Sequence, residues 1–300
     1  MTAPFQPYIT EPGHYPQLDE TRYHADPVVG GSLSSTGART LITRTPAHFA
    51  YQREHGRPDT DAFDLGRATH AQLLGVGGPI VEVNADSWRT NAAKTARAEA
   101  RKAGATPLLI EDANRVRAAV AAVHAHPVVG PLFARPGRAE QSYVGRCPET
   151  GVMCRIRIDW QPDTAPGQRA IAVDYKTTTD ASPDHFGTAM GRYGYHQQGP
   201  FYGDVLLWLG LATAVQTVFV VQEKDPPYLV SYGWPDAEAV EWGRVLNRKA
   251  RDVFAHCTES GEWPGYSTQP IPFELPGWLK RQYEDADDTG AYLIREDITA

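Results

Sequence analysis

The sequence predicts an α/β protein in which a helical N-terminal region precedes a mixed central sheet flanked by helices. Two observations indicate this class. Apolar residues in the N-terminal half recur every three or four positions, which is the period of helices that bury one face. After about Glu140, several segments alternate apolar and polar residues, which is the period of strands, and further helical segments follow them. This order of elements indicates a sheet with helices packed against it.

Helix start signals organise the N-terminal half. Ser34 or Ser35 can cap a first helix, and Pro46 can occupy the first turn of a second. Three more helices are predicted over residues 64–74, 87–102 and 111–126. The first thirty residues are rich in proline and glycine, and we predict an arm with loose structure there.

Period-two segments and helices alternate in the second half. We predict strands over residues 140–144, 152–159, 170–176, 217–222 and 228–234, and helices over residues 184–193, 198–211 and 237–257. We therefore expect an extended arm over residues 1–30, one large domain over residues 31–266, and an acidic C-terminal tail over residues 267–300.

Composition narrows the classes of protein. A chain of 300 residues, 41% of them hydrophobic, can bury a large core. The three cysteines fit neither a disulfide framework nor a Cys-x-x-Cys metal site, which indicates a reducing compartment and implies no structural zinc. Residues 1–17 contain no basic segment followed by an apolar run, and the longest apolar stretch, residues 205–215, is too short to cross a bilayer. We expect a soluble cytoplasmic protein with no membrane partner.

The charge is unevenly distributed. A net charge of −7 opposes binding to nucleic acid, but much of the negative charge lies in the last twenty residues. Lys94, Arg97 and Arg101 are spaced three and four apart, which places them along one side of a predicted helix. We call these three residues the basic stripe. A lone stripe is usually a solvated helix face, whereas beside a metal site it would suit a DNA backbone.

Charged residues on two neighbouring predicted strands indicate chemistry. Asp174 and Lys176 share one face of a strand, while Val173 and Tyr175 point to the other. A hairpin partner that ends in Asp159 can bring a second carboxylate beside them. Carboxylates suit a hard cation such as Mg²⁺, and a lysine can orient water or stabilise charge on phosphorus. The cluster predicts a phosphodiesterase centre, although an isolated Asp-x-Lys is more often a solvated charge pair.

A longer set of motifs occurs in one order along the chain. His70 and Glu140 precede Asp159, the Asp174-Tyr175-Lys176 strand follows, and residues 195–202 complete the series. Further matching stretches are Tyr23-His24, Ser34-Ser35 and residues 45–49, 63–74, 219–228 and 260–266. This series resembles the PD-(D/E)xK nucleases of the branch that contains RecB, AddB and RecE, and it is most similar to the RecE-like, phage-type exonuclease VIII domain. The resemblance covers the chain from about Tyr23 to Tyr266, and it implies a restriction-endonuclease-like fold.

The resemblance implies a role for each matching acidic and basic residue. Asp159 and Asp174 would bind a metal ion, and His70 would reach the same ion from the helical region. Lys176 would be the catalytic lysine. Glu140 would lie at the edge of the metal site and hold a second ion or its water.

The resemblance also covers the residues around the metal. The backbone carbonyl of Tyr175 would face the ion. Gln198 and Tyr202 fit the Gln-x-x-x-Tyr motif of this branch, whose helix lies beside the site and helps to position the lysine and DNA. Gly199 and Pro200 fall inside this motif, and they predict a helix that begins only at Pro200 and leaves Gln198 at its N-terminus.

The resemblance implies a Mg²⁺-dependent exonuclease that hydrolyses linear double-stranded DNA from 5' to 3' and leaves 3' overhangs for recombination. Mn²⁺ would substitute for Mg²⁺, and three dispersed cysteines cannot hold an iron–sulfur cluster of the four-cysteine kind. The expected partners are double-stranded DNA ends, further copies of the chain in a ring, and a single-strand annealing protein. An endonuclease of the same fold and a non-catalytic DNA-binding or scaffold module are the alternatives.

Overall fold

The computed structural model describes residues 6–56, 63–165 and 167–289. The chain forms two compact units, which divide between Pro264 and Gly265. The helices of the first unit are α1 (Glu20–His24), α2 (Ser35–Thr43), α3 (Pro46–His55), α4 (Phe63–Leu74), α5 (Asn91–Lys102), α6 (Ile110–Ala125), α7 (Val129–Ala134), α8 (Pro183–Tyr193), α9 (Tyr195–Trp208) and α10 (Ala237–Ser260). Its strands are β1 (Gly13–His14), β2 (Leu33–Ser34), β3 (Ile80–Val83), β4 (Thr106–Leu109), β5 (Gly137–Arg146), β6 (Met153–Pro162), β7 (Ala170–Thr178), β8 (Val215–Glu223) and β9 (Val230–Gly233). The second unit contains α11 (Gly277–Asp288).

The central sheet is mixed and mostly antiparallel. Its strand order is β1-β5-β6-β7-β8-β9, and β2 pairs in parallel with β6. β7 and β8 are parallel to each other and are joined by a crossover through α8 and α9. The other neighbours along this order are antiparallel. The predicted α/β fold with a mixed sheet flanked by helices is confirmed.

A two-stranded parallel sheet lies apart from the central one. β3 and β4 pair in parallel, and α5 connects them. Among the described residues no helix is both long and apolar enough to cross a membrane.

Alternation along β7 distributes its side chains between two cores. Ala172 belongs to a core formed with α2, α9 and α10, whereas Val173 and Tyr175 belong to a second core formed with α4 and α6. The predicted separation of the apolar residues from Asp174 and Lys176 is therefore confirmed. On the face that carries Asp174 and Lys176, Gln198 of α9 contacts the buried Asp174, whereas the side chain of Lys176 is partly exposed.

β5 and β6 change cores where Glu140 lies opposite Asp159. Ile158 of β6 belongs to the first core, but Trp160, two residues later, packs against the second. Glu140 adopts φ 55°, which is rare for a residue with a side chain and interrupts the regular alternation. The pairs on either side of this position keep one register, Ala139 with Trp160 and Gln141 with Ile158.

Two sequence expectations about helix boundaries are wrong. The helix that contains the Gln-x-x-x-Tyr motif begins at Tyr195 and includes Pro200, so Gln198 lies within it. Pro200 has no N–H for the carbonyl of His196, and Gly243 of α10 approaches that carbonyl so closely that a Cβ there would lie 2.2 Å from its oxygen. The helix predicted over residues 87–102 begins only at Asn91, after Thr90, whose side chain caps it.

The N-terminal residues are packed more closely than composition predicts. Ile9, Leu18, Tyr23 and Val28 are buried in a small cluster with residues of β5 and β6. The expectation of loose structure is therefore wrong for residues 6–30. The high proline and glycine content of this segment does not prevent the burial of its apolar side chains.

Candidate metal and catalytic site

Three ligand-bearing side chains from three elements meet where β5 and β6 change cores. His70 lies on α4, and its Nδ1 is 3.5 Å from Oε1 of Glu140 on β5, while its Nε2 is 3.3 Å from Oδ2 of Asp159 on β6. One ligand atom from each residue lies within 4.8 Å of the others. We call these three residues the His-Glu-Asp group. Their arrangement depends on the packing of α4 against the sheet in the second core, which is not visible in local sequence.

Two carboxylates face each other in this group. Like charges directly opposite on neighbouring strands are destabilising, so they require cations nearby. His70 supplies one of these, and Arg157 supplies another by donating from Nε to Glu140. Asp159 also accepts a hydrogen bond of 2.8 Å from the backbone N–H of Tyr175. The left-handed backbone of Glu140 adds strain, which often accompanies functional sites.

A second polar cluster lies on β7 and α9. Nζ of Lys176 is 2.5 Å from Oδ2 of Asp174, whose side chain is 3% exposed. Nε2 of Gln198 donates to Oδ1 of Asp174 at 2.5 Å and to the hydroxyl of Tyr202 at 3.0 Å. The four residues form a chain that holds the lysine in place, and we call it the lysine cluster.

The two groups share one row across the sheet. The pair Trp160 with Val173 fixes the register of β6 against β7, and the next positions in that register are Asp159 and Asp174. With Glu140 opposite Asp159, the three carboxylates follow one another across β5, β6 and β7.

Burial and charge act in opposite directions on the pKa values of these groups. Burial lowers the pKa of His70, but Asp159 and Glu140 outweigh it and raise that pKa to about 9. Burial also lowers the pKa of Lys176, and here Asp174 and Asp159 outweigh it, so that its pKa is raised. Both cations are therefore charged at neutral pH when no metal is bound.

The pKa values of the three carboxylates are shifted in different directions. Burial raises the pKa of Asp174, although Lys176 lowers it in part. Burial raises the pKa of Glu140 as well, and the charge of Asp159 adds to this effect. Burial opposes ionisation of Asp159, but the charges of His70 and Lys176 outweigh it and lower the pKa. Asp159 is thus the carboxylate that is most readily ionised for a metal ion.

A family profile described as a PDDEXK-like domain of unknown function (DUF3799) matches residues 35–270. The chain belongs to this family. Its fold is accordingly that of the PD-(D/E)xK nucleases, as predicted. No curated protein matches the sequence.

A solved structure agrees with the fold. The crystal structure of a "putative exonuclease" from Eubacterium rectale has a TM-score of 0.55 at 11% sequence identity, and the match covers 88% of this chain and 98% of that one. A structure of SSO0001 covers 67% of this chain and 85% of its own at 13% identity, with a TM-score of 0.27 that is too low to support a conclusion.

A PDDEXK-like fold implies a divalent metal ion, and the donor set fits one. Two carboxylates and an imidazole are suitable ligands for a divalent cation, and an ion between facing carboxylates would relieve their repulsion. Glu140, which was expected at the edge of the metal site, lies with His70 and Asp159 in this group, while Asp174 contacts Lys176 and Gln198. Asp174 as a metal ligand stays a prediction. Asp174 is nevertheless close enough to raise the pKa of His70.

Other predicted site residues lie in different surroundings. Tyr175 contacts Asp159 through its backbone N–H, and its hydroxyl donates to buried Gln222 on the far side of the sheet. Its carbonyl as a metal ligand stays a prediction. The basic stripe lies on α5, which packs against β3 and β4, with Arg97 over the ring of Trp88 at 5.0 Å.

Sequence reasoning missed three residues that support the site. Arg157 binds Glu140, and it could have been found because it is two positions before Asp159 on one strand face. The ring of Tyr195 lies 5.0 Å from Nζ of Lys176, and Arg39 lies over the same ring at 5.8 Å. Arg39 comes from α2, and no local pattern in the sequence connects it with β7.

Proposed function

We propose that this protein is a metal-dependent DNA exonuclease of the RecE-like branch. The observation that carries the proposal is the row of Glu140, Asp159 and Asp174 across three strands, with His70 at one end and Lys176 at the other. A solvated charge pair would not bury Asp174 to 3% exposure beside an ammonium group. The PDDEXK-like family and the likeness to a structure described as an exonuclease support the same reading.

In this proposal the His-Glu-Asp group holds a Mg²⁺ ion, with Mn²⁺ as a substitute. Such an ion, when bound, stabilises negative charge on phosphate oxygens and lowers the pKa of its water. Asp159 is ionised before any metal binds because its pKa is lowered. His70, whose pKa is raised, would have to lose its proton to become a ligand. Arg157 keeps the carboxylate of Glu140 in position through its hydrogen bond.

In this proposal Lys176 contacts the phosphate group of the substrate. Its ammonium group is protonated and its side chain is 24% exposed, so it can donate to a phosphate oxygen that arrives from solvent. Asp174 fixes the ammonium, Gln198 fixes Asp174, and Tyr202 accepts from Gln198. Hydrolysis adds water across the P–O3' bond, leaving a 3'-hydroxyl on the released 5'-terminal nucleotide and a 5'-phosphate on the shortened strand.

End-labelled linear duplex DNA with Mg²⁺ tests this proposal. We expect release of 5'-mononucleotides beginning with the 5' label, no cleavage in EDTA, and no cleavage by Asp174→Ala or Lys176→Ala. A covalently closed circle should remain intact, and its cleavage would instead indicate an endonuclease of this fold. DNA binding without any nucleotide release under Mg²⁺ or Mn²⁺ would contradict catalysis and favour a binding module.

The further expectations concern partners. We propose that the chain acts on double-stranded DNA ends as a ring of identical copies, supplies 3' overhangs to a single-strand annealing protein, and uses the basic stripe to hold the DNA backbone. Replacing all three stripe residues by glutamine should weaken duplex binding and reduce its salt dependence, since fewer phosphates would be neutralised. Light scattering that shows only monomers would exclude the ring.

A further inference from the structure

An exposed aromatic ring lies next to the lysine cluster. Tyr193 is the last residue of α8, and its side chain is 52% exposed. Its ring centroid is 5.7 Å from that of Tyr195, whose ring in turn lies 5.0 Å from Nζ of Lys176. Tyr193 is therefore one aromatic ring removed from the ammonium group.

The backbone under this ring is held firmly. Nη1 of Arg39 donates to the carbonyl of Tyr193 at 2.5 Å. Gly194 follows with φ 66°, and a Cβ on it would lie 2.7 Å from Cδ of Arg39, so the corner between α8 and α9 fits tightly against this arginine. These contacts hold the backbone that carries the ring close to the lysine cluster.

The ring has a cation beside it and no parallel aromatic partner in the described parts of the chain. The guanidinium of Arg192 lies 5.7 Å from the centroid of the Tyr193 ring. The planes of Tyr193 and Tyr195 are tilted by 36°. By contrast, Tyr51, which is 63% exposed, stacks on His55 at 4.1 Å and 16°.

We propose that Tyr193 is a stacking platform for a nucleobase of the cleaved strand, beside the scissile phosphate, and that Arg192 binds a neighbouring phosphate. Every base has an apolar π face, and aromatic side chains next to basic groups bind single strands in this way without sequence preference. The inference rests on the proposed function, because it places the phosphate of the same strand at Lys176. It predicts that the last nucleotides of the strand are unpaired when they reach the site.

Abasic scanning tests the proposal. A set of oligonucleotide duplexes, each with one abasic position near the 5' end, is bound in EDTA by the wild type and by Tyr193→Ala, and affinity is measured by fluorescence anisotropy. In the wild type, one abasic position should weaken binding by roughly 5- to 150-fold, the range of a base–aromatic stack. In Tyr193→Ala the intact duplex should lose a similar factor, and abasic substitution at that position should have no further effect.

Matched variants separate stacking from other causes. Tyr193→Trp should preserve binding, and Tyr51→Ala should behave as the wild type. With Mg²⁺, Tyr193→Ala should raise KM more than it lowers kcat. Identical abasic profiles for the wild type and Tyr193→Ala would overturn the stacking role even if both cleave DNA, whereas absence of both binding and cleavage by the wild type would overturn the proposed function itself.

Discussion

The ion pair between Asp174 and Lys176 gives the sharpest prediction about this fold. At 2.5 Å and an effective dielectric constant of about 20, their Coulomb attraction is about 7 kcal/mol. Desolvation of both ions cancels part of this, but removal of one partner leaves the other buried without compensation. Lys176→Met should therefore lower the free energy of unfolding by about 3–5 kcal/mol at pH 8.

The loss should depend on pH. Burial raises the pKa of Asp174 in the folded protein above the ordinary value for a carboxyl, and loss of Lys176 removes a group that lowers it. A carboxyl whose folded pKa is raised destabilises the fold when it is ionised, and this cost disappears as pH falls through the folded pKa. The difference between Lys176→Met and the wild type should therefore shrink from pH 8 toward pH 5.

Urea unfolding in EDTA, followed by circular dichroism, measures both effects. EDTA is needed because a bound metal ion could replace the missing positive charge. The control is Asp174→Asn combined with Lys176→Met, which removes both charges and should unfold within about 1–2 kcal/mol of the wild type at pH 8. If Lys176→Met were as stable as the wild type at pH 8, the argument for a buried ion pair would be refuted.

Three further predictions concern other parts of the structure. His70→Gln should weaken Mn²⁺ binding by at least about tenfold in isothermal titration calorimetry, and unchanged affinity would exclude His70 as a ligand. In EDTA, protonated His70 should stabilise the fold fully at pH values below its unfolded pKa of 6.5, and this contribution should be lost as pH rises through about 9. The unfolding free energies of the wild type and His70→Gln should therefore converge across that interval. Gly243→Ala should destabilise by about 1–3 kcal/mol, because its Cβ would lie 2.2 Å from the His196 oxygen. Gly191→Ala, with nothing within 4 Å of its Cβ, should be neutral or stabilise by up to about 1 kcal/mol, and equal effects of the two substitutions in urea unfolding would contradict the packing argument.

Local sequence patterns correctly predicted those structural features that depend on a single helix or strand. The alternation along β7 predicted that Asp174 and Lys176 face away from Val173 and Tyr175, because side chains in a strand always alternate. Ser34 caps α2 by accepting from the N–H of Gly37, as a serine before a helix should.

Local rules failed where a neighbouring element compensates for a poor local choice. Pro200 would ordinarily begin a helix, yet α9 starts at Tyr195, because packing against α10 outweighs the lost hydrogen bond. Gly243 leaves room for the carbonyl of His196, to which Pro200 cannot donate, and Asn247 of α10 donates to the next carbonyl, that of Gln197, at 2.8 Å. These contacts join residues about fifty positions apart, so no local signal contains them.

The sequence by itself determined the residue types of the site, their order along the chain and the strand faces that carry them. Tertiary structure decided which of them meet. His70 reaches the sheet because α4 packs on it, and Glu140 lies with His70 and Asp159 while Asp174 contacts Lys176 and Gln198. The physical reason is that metal ligation and charge compensation depend on distances of a few ångströms between separate elements, and such distances are set by the packing of the whole core.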